Sequence, residues 1–232
     1  MRLLTAPIWG FFYLETNCTF VDIYLRIISL NLLLTMMNKY FVQFNDFVKP
    51  YGLKDYELLQ LNQLCEFVSF NKGDIVFKAE VKANNIYFIC NGIIRSFVFT
   101  ENGEIKTYGF RTENMLITGY ALHNYINEYR SKVSVECLED CKMIKIPLTA
   151  LKYMEENSNE AQKVARHLAE NHIIELVDFL IDIDTKPLIE RFYNLDKIFP
   201  NIHQRIPQHI IASYLGTTPV HLSRIKNARR AS

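Results

Sequence analysis

From residue 38 onward the apolar positions change period twice. Asn38–Val48 and Lys54–Cys65 carry them at helical spacing, as Leu58, Leu61 and Leu64 show, with Tyr51-Gly52 as the break. From Glu66 short apolar or alternating runs follow closely: Phe67–Phe70, Ile75–Phe77, Ile86–Cys90, Ile93–Thr100, Ile105–Arg111, Lys132–Cys137 and Lys142–Ile146. These predict strands, and Asn91-Gly92 and Asn102-Gly103 supply the positive φ that predicts a hairpin at each. Many short strands over about residues 66–147 predict a small barrel, roll or sandwich. The period then turns helical. Glu155–Ile183 lacks Gly and Pro, and Ala165, Leu168, His172, Leu176, Phe179 and Ile183 form a stripe that Val164, Ile173, Val177 and Leu180 widen. Such a helix is about 43 Å long, more than one small roll covers. The stripe is either core or the seam of a dimer, and the seam is the preferred reading. Asp184–Pro187 ends this helix, with Pro187 placed to open the next, Leu188–Phe199.

Residues 1–36 differ in texture. Pro7, Glu15 and Asp22 interrupt their apolar runs and no A-x-A cleavage site follows, which argues against a signal peptide. The best membrane window, Cys18–Met37, contains Asp22, Arg26 and Asn31, and a mid-bilayer charge costs roughly 2.5–3.5 kcal/mol. The preferred reading is that translation starts at Met36 or Met37 and residues 1–35 are upstream read-through; a membrane span is the alternative. Of 232 residues, 49% are hydrophobic and 22% charged, a globular composition with room for one large domain or two small ones. Five cysteines, with no C-x-x-C pair, argue against a disulfide framework or zinc ribbon and for a reducing cytoplasm.

Charge changes the picture at the C-terminal end. Five of the 26 basic residues (Arg205, Arg224, Lys226, Arg229, Arg230) lie between Phe199 and Ser232, and none of the 25 acidic ones does. This is either a solvated tail or a polyanion-binding module. The same segment reads PQHIIASYLGTTPVHLSR over Pro207–Arg224. Ala212 is small enough for two helices to cross, Gly216 suits a turn, and Ile211, Leu215, Leu222 and Ile225 pin one helix on the other. Thr217 or Thr218 caps the second helix and Pro219 suits its first turn. That is the pattern of a helix-turn-helix; the alternative is an ordinary helical corner. The second helix would offer Thr217, Thr218, Pro219, Val220, His221, Ser223, Arg224 and Lys226 to double-stranded DNA, Arg224 reaching a guanine edge or a phosphate. No catalytic triad spacing, metal-ligand cluster or P-loop is present, so no enzyme is expected. Glu139-Asp140 and Glu155-Glu156 are read as caps at turns or helix starts.

A β-roll, a long helix and a helix-turn-helix, in this order, resemble the cyclic-AMP receptor protein and FNR family of bacterial transcription regulators. The stretch IASYLGTTPVHLSRIK is similar to the motif of members from Bacteroidetes. The resemblance implies an α+β chain. It places an atypical extension over 1–36, an effector-binding double-stranded β-helix (β-roll, cupin-like, cyclic-nucleotide-binding type) over 37–150, a dimerisation helix over 151–183 and a helix-turn-helix unit over 184–232. It also implies a cytoplasmic homodimer on a palindromic operator, with RNA polymerase as a further partner and no membrane. The family's phosphate cassette pairs Gly-Glu with Arg-Ser eleven residues after the Gly. Here Gly119 and Arg130-Ser131 keep the spacing, while Tyr120, followed by Ala121, replaces the glutamate. A phenol lacks the carboxylate's acceptors for a ribose. Asn171 and His172 fall where the family places adenine-facing polar groups. No cofactor is therefore expected, a cyclic nucleotide being the doubtful alternative to another small effector or none. The cysteine spacing does not match the family's iron–sulfur cluster, and His123, the lone roll histidine, is read as an ordinary polar residue and not as a haem ligand. The competing reading is a ligand-sensing or structural dimer without productive DNA binding.

Overall fold

The computed structural model describes residues 39–118 and 131–230, with side chains through residue 227. The chain opens with helix α1 (39–48), a 3₁₀ turn at Lys49–Tyr51 and α2 (Asp55–Leu64). Among the described residues eight strands follow: β1 (Glu66–Phe70), β2 (Ile75–Phe77), β3 (Asn85–Asn91), β4 (Ile94–Phe99), β5 (Ile105–Arg111), β6 (Leu116–Ile117), β7 (Ser134–Cys137) and β8 (Cys141–Pro147). They form two antiparallel four-stranded sheets, ordered β1-β8-β3-β6 and β2-β7-β4-β5. The expected roll of short strands is therefore present. Strand β6 was missed by the sequence reading because two residues carry no period.

Strand β3 is buried from Ile86 to Cys90 because both its faces are covered. Phe88 packs against Phe44 and Phe47 of α1, with ring centroids 5.3 and 4.9 Å away. Its neighbour Tyr87 points the other way, onto Phe70 and Phe77. Alternation along a strand dictates this division of faces. The Asn102-Gly103 turn joins the paired strands β4 and β5, as expected. The Asn91-Gly92 expectation needs correction. It joins β3 to β4, which belong to different sheets, so it is a corner rather than a hairpin.

After β8 the chain forms α3 (Leu148–Asn157), α4 (Asn159–Thr185), α5 (Leu188–Ile198), α6 (Ile202–Arg205), α7 (Gln208–Tyr214) and α8 (Pro219–Arg230). The uninterrupted helix expected over Glu155–Ile183 is broken at Ser158, whose backbone is extended (φ −146°, ψ 121°). Its hydroxyl accepts the Ala161 N–H at 2.9 Å and donates to buried Glu57 of α2. This anchors the start of α4 to the roll. Ala161 and Val164 of α4 are buried, whereas Ile173, Ile174, Leu176, Val177, Leu180, Ile181 and Ile183 are exposed. The helix ends at Thr185, before Pro187, as expected. A second apolar cluster joins Ile93, Phe110 and Leu138 of the roll to Phe192, Leu195, Phe199, Ile202, Ile206 and the α7–α8 pair. No described helix is long and apolar enough to cross a membrane. The sequence expectations for residues 1–36 lie outside the described residues.

Candidate functional site

Helices α7 and α8 meet at residues chosen for closeness. Ala212 and Leu222 are completely buried, and Ile210, Ile211 and Leu215 nearly so. The turn between them passes through Gly216 at φ +71°, a conformation that glycine adopts without strain. The Thr217 N–H closes it by donating to the Ala212 carbonyl at 2.9 Å. Thr218 Oγ1 accepts the His221 N–H at 3.2 Å, the bond of an N-cap. Of the two threonines offered by the sequence, Thr218 is thus the cap.

Thr218, Pro219, Val220, His221, Ser223 and Arg224 are all exposed on this helix, and Thr217 is half-buried beside them. Lys226 is placed differently. Its ammonium lies 4.8 Å above the Phe192 ring, packing α8 onto α5. Arg205 also departs from the charge reading. It is no free cation of a polyanion surface, because its guanidinium is held between Glu113 and Glu139. Glu139 is therefore an ion-pair partner rather than a turn cap, while Asp140 accepts the Lys72 N–H at 2.9 Å.

The second group of expected residues is described in part. Gly119, Tyr120, Ala121 and Arg130 lie outside the described residues. Ser131 is buried. Its hydroxyl donates to the Val133 carbonyl at 2.9 Å and accepts the Val133 N–H at 3.2 Å, which leaves one lone pair for a ligand. Its carbonyl takes the Glu80 N–H at 2.7 Å. This ties Ser131 to the 78–85 loop, which lines a cleft of about 160 Å³ with Val76, Phe77, Lys78, Val81, Lys82 and Tyr87 among its walls. Asn171 and His172 are exposed on α4. The His172 Nδ1 lies 3.3 Å from Arg111 of β5 and 3.6 Å from Glu175. Arg111 was not singled out from the sequence, since an arginine closing a strand has no local signature. Burial opposes ionisation of Glu175, but the His172 hydrogen bond and the nearby Arg111 charge outweigh it and hold its carboxyl below the ordinary value.

No group of three His, Cys, Asp or Glu among the described residues is placed to hold a metal. Burial pushes the Cys65 and Cys90 thiols up to about 12.

A family model described as a cyclic nucleotide-binding domain matches residues 67–158, the strands of both sheets together with α3. The fumarate and nitrate reduction regulatory protein of Salmonella typhi is 26% identical over 188 residues, covering 76% of this chain and 74% of that protein. That alignment is too long to be confined to the roll. The chain is similar to the Crp/Fnr transcription regulators over the roll and the helices that follow it. Solved structures agree on the fold. FixK2 from Bradyrhizobium japonicum matches with a TM-score of 0.61 at 14% identity, over 72% of this chain and 85% of that one. A crp/fnr-family regulator from Eubacterium rectale matches at 0.62 and 16%, over 83% and 88%. The similarity supports a DNA-binding transcription regulator with a cyclic-nucleotide-binding type of domain ahead of its helix-turn-helix.

Proposed function

We propose that the regulator works as a cytoplasmic homodimer, joined along α4, that binds a palindromic DNA site. The observation that carries this reading is the apolar stripe of α4. Ile173 and Leu180 are about 60% exposed on a helix already anchored to its own roll by Ala161, Val164 and the Ser158 cap, and water is a poor neighbour for seven such side chains. Two-fold symmetry along α4 would set two copies of α8 in successive major grooves, about 34–36 Å apart. Pro219, Val220, His221, Ser223 and Arg224 would face base edges and phosphates. In this reading, residues 37–150 sense, α4 dimerises, and residues 184–232 read DNA and hold or exclude RNA polymerase at a promoter. The roll needs no resident cofactor. A small effector, where one binds, would find the Ser131 hydroxyl already donated and only a lone pair left, so an anion would rely on Arg130 and not on Ser131. It would act through its differential affinity for two arrangements, with Asp184–Pro187 as the hinge.

The test is selection of a binding site from random duplexes with the full chain. The expected result is one palindromic sequence whose affinity falls steeply with salt. Arg224→Ala should then lose about 1–3 kcal/mol of specific binding, read by fluorescence anisotropy. No enriched sequence, or a salt-insensitive complex, favours the competing reading of a dimer that does not use DNA.

A further inference from the structure

The C-terminal helices meet the roll through an apolar centre framed by polar bonds, and Arg205 forms one corner. Its Nη1 and Nη2 donate to Glu113 Oε2 and Oε1 at 3.0 and 2.8 Å. Nε donates to Glu139 Oε2 at 3.3 Å, Nη2 also donates to Glu139 Oε1, and Nη1 reaches Thr112 Oγ1 at 3.0 Å. These bonds use the fork on both sides, a geometry lysine cannot reproduce. At the opposite corner, Ser213 of α7 accepts the Thr107 N–H at 3.0 Å and donates to the Ile105 carbonyl at 3.3 Å. Between the corners Phe110 packs on Phe199 and Tyr214.

The two carboxylates are carried by turns that are themselves fixed. Glu113 receives the Gly92 N–H at 2.9 Å. The next residue, Asn114, donates its N–H to Ile89 and accepts from the Gln43 side chain of α1. Glu139 sits in the turn between β7 and β8, where the Leu138 N–H bonds Ile93 and Asp140 is held by Lys72. Both acidic groups therefore stay beside each other whether or not a cation arrives. Without one they repel; with Arg205 between them they attract the segment that carries it. In this docked arrangement Pro219, Val220, His221, Ser223 and Arg224 are all exposed, so docking leaves the DNA-facing side of α8 free.

We propose that Arg205 is a positioning residue: clamped between Glu113 and Glu139, it docks the helix-turn-helix on the roll in the orientation that presents α8 to DNA. The orienting half of this statement rests on the DNA-binding function proposed above; the docking half does not. The amide of Thr107 reports the dock directly, because it donates to Ser213. Hydrogen exchange of the full chain without DNA is compared in wild type, Arg205→Gln, and the triple variant Arg205→Gln/Glu113→Gln/Glu139→Gln. The single variant strands two carboxylates and should speed exchange at 105–107 roughly ten-fold, and the triple variant should recover to within about three-fold of wild type. Exchange unchanged in Arg205→Gln overturns the dock.

Affinity for the selected duplex should follow the same order, falling in the single variant and recovering in the triple. A direct phosphate contact by Arg205 predicts no recovery, since both variants lack the cation, and that result overturns the orienting role. A wild type that selects no duplex overturns the DNA-binding reading and the orienting role with it, while exchange still decides the dock.

Discussion

A Cβ at Gly92 would lie 2.5 Å from Cys141 Sγ and 2.9 Å from Cys141 Cα, on a backbone at φ +113°. The cysteine backbone cannot yield as a flexible side chain would. Gly92→Ala should therefore lose about 3 kcal/mol or more of stability, seen as a lower denaturant midpoint. A midpoint within error of wild type would show that the corner relaxes. The sequence marked this glycine correctly as a positive-φ position but assigned it the wrong turn, because Asn-Gly reports dihedrals and not which strand pairs with which. Glu113, which the Gly92 N–H contacts, had no signature at all. Burial by itself would raise its pKa, yet Arg205, Thr112 and the Gly92 N–H outweigh burial and hold it down to about 2. A carboxylate depressed in the folded state adds stability above its unfolded value of about 4.5, and loses it as pH falls towards 2. Glu113→Gln should thus be about 1 kcal/mol less stable than wild type at pH 7, with the gap closing between pH 4.5 and 2. An equal gap at pH 7 and pH 2.5, measured by urea unfolding, would refute an electrostatic origin.

Among the elements, α4 shows what periodicity can and cannot convey. Its stripe and its end at Thr185 followed from spacing and from Pro187. Its start did not, because Ser158 breaks the helix without glycine or proline, through a cap shared with Glu57 of α2. That partner lies 101 residues away in sequence, beyond any local pattern. The exposed stripe yields a sharp expectation. If the dimer proposed above forms along α4, Val177→Glu with Leu180→Glu, both on the exposed side, should convert it to a monomer in sedimentation velocity while leaving far-ultraviolet circular dichroism intact, since glutamate is a good helix former. A variant that remains dimeric would move the seam elsewhere. The helix-turn-helix was the most legible element, since crossing, turn and cap fall within eight consecutive positions, Leu215 to Leu222, plus Ala212.

Across the molecule, charge tallies were the weakest guide. Two of the five C-terminal cations, Arg205 and Lys226, hold the helices to the roll or to one another, and only contacts distant in sequence show this. The order of roll, long helix and helix-turn-helix was readable because each has its own period; how they face one another was not, because interdomain surfaces share the ordinary composition of a core. One of those surfaces has a further consequence. Strand β5 is the outer strand of its sheet, and Ser213 of α7 covers the Thr107 N–H and Ile105 carbonyl on that edge. An open strand edge invites pairing with another chain, and here Phe99, Ile105 and Tyr108 are exposed nearby. Synthesis runs from the roll to the helices, so every nascent copy passes through an interval in which β5 exists and its cover does not. On a crowded polysome, the speed with which α7 arrives and settles decides how many copies escape zipping edge to edge with their neighbours.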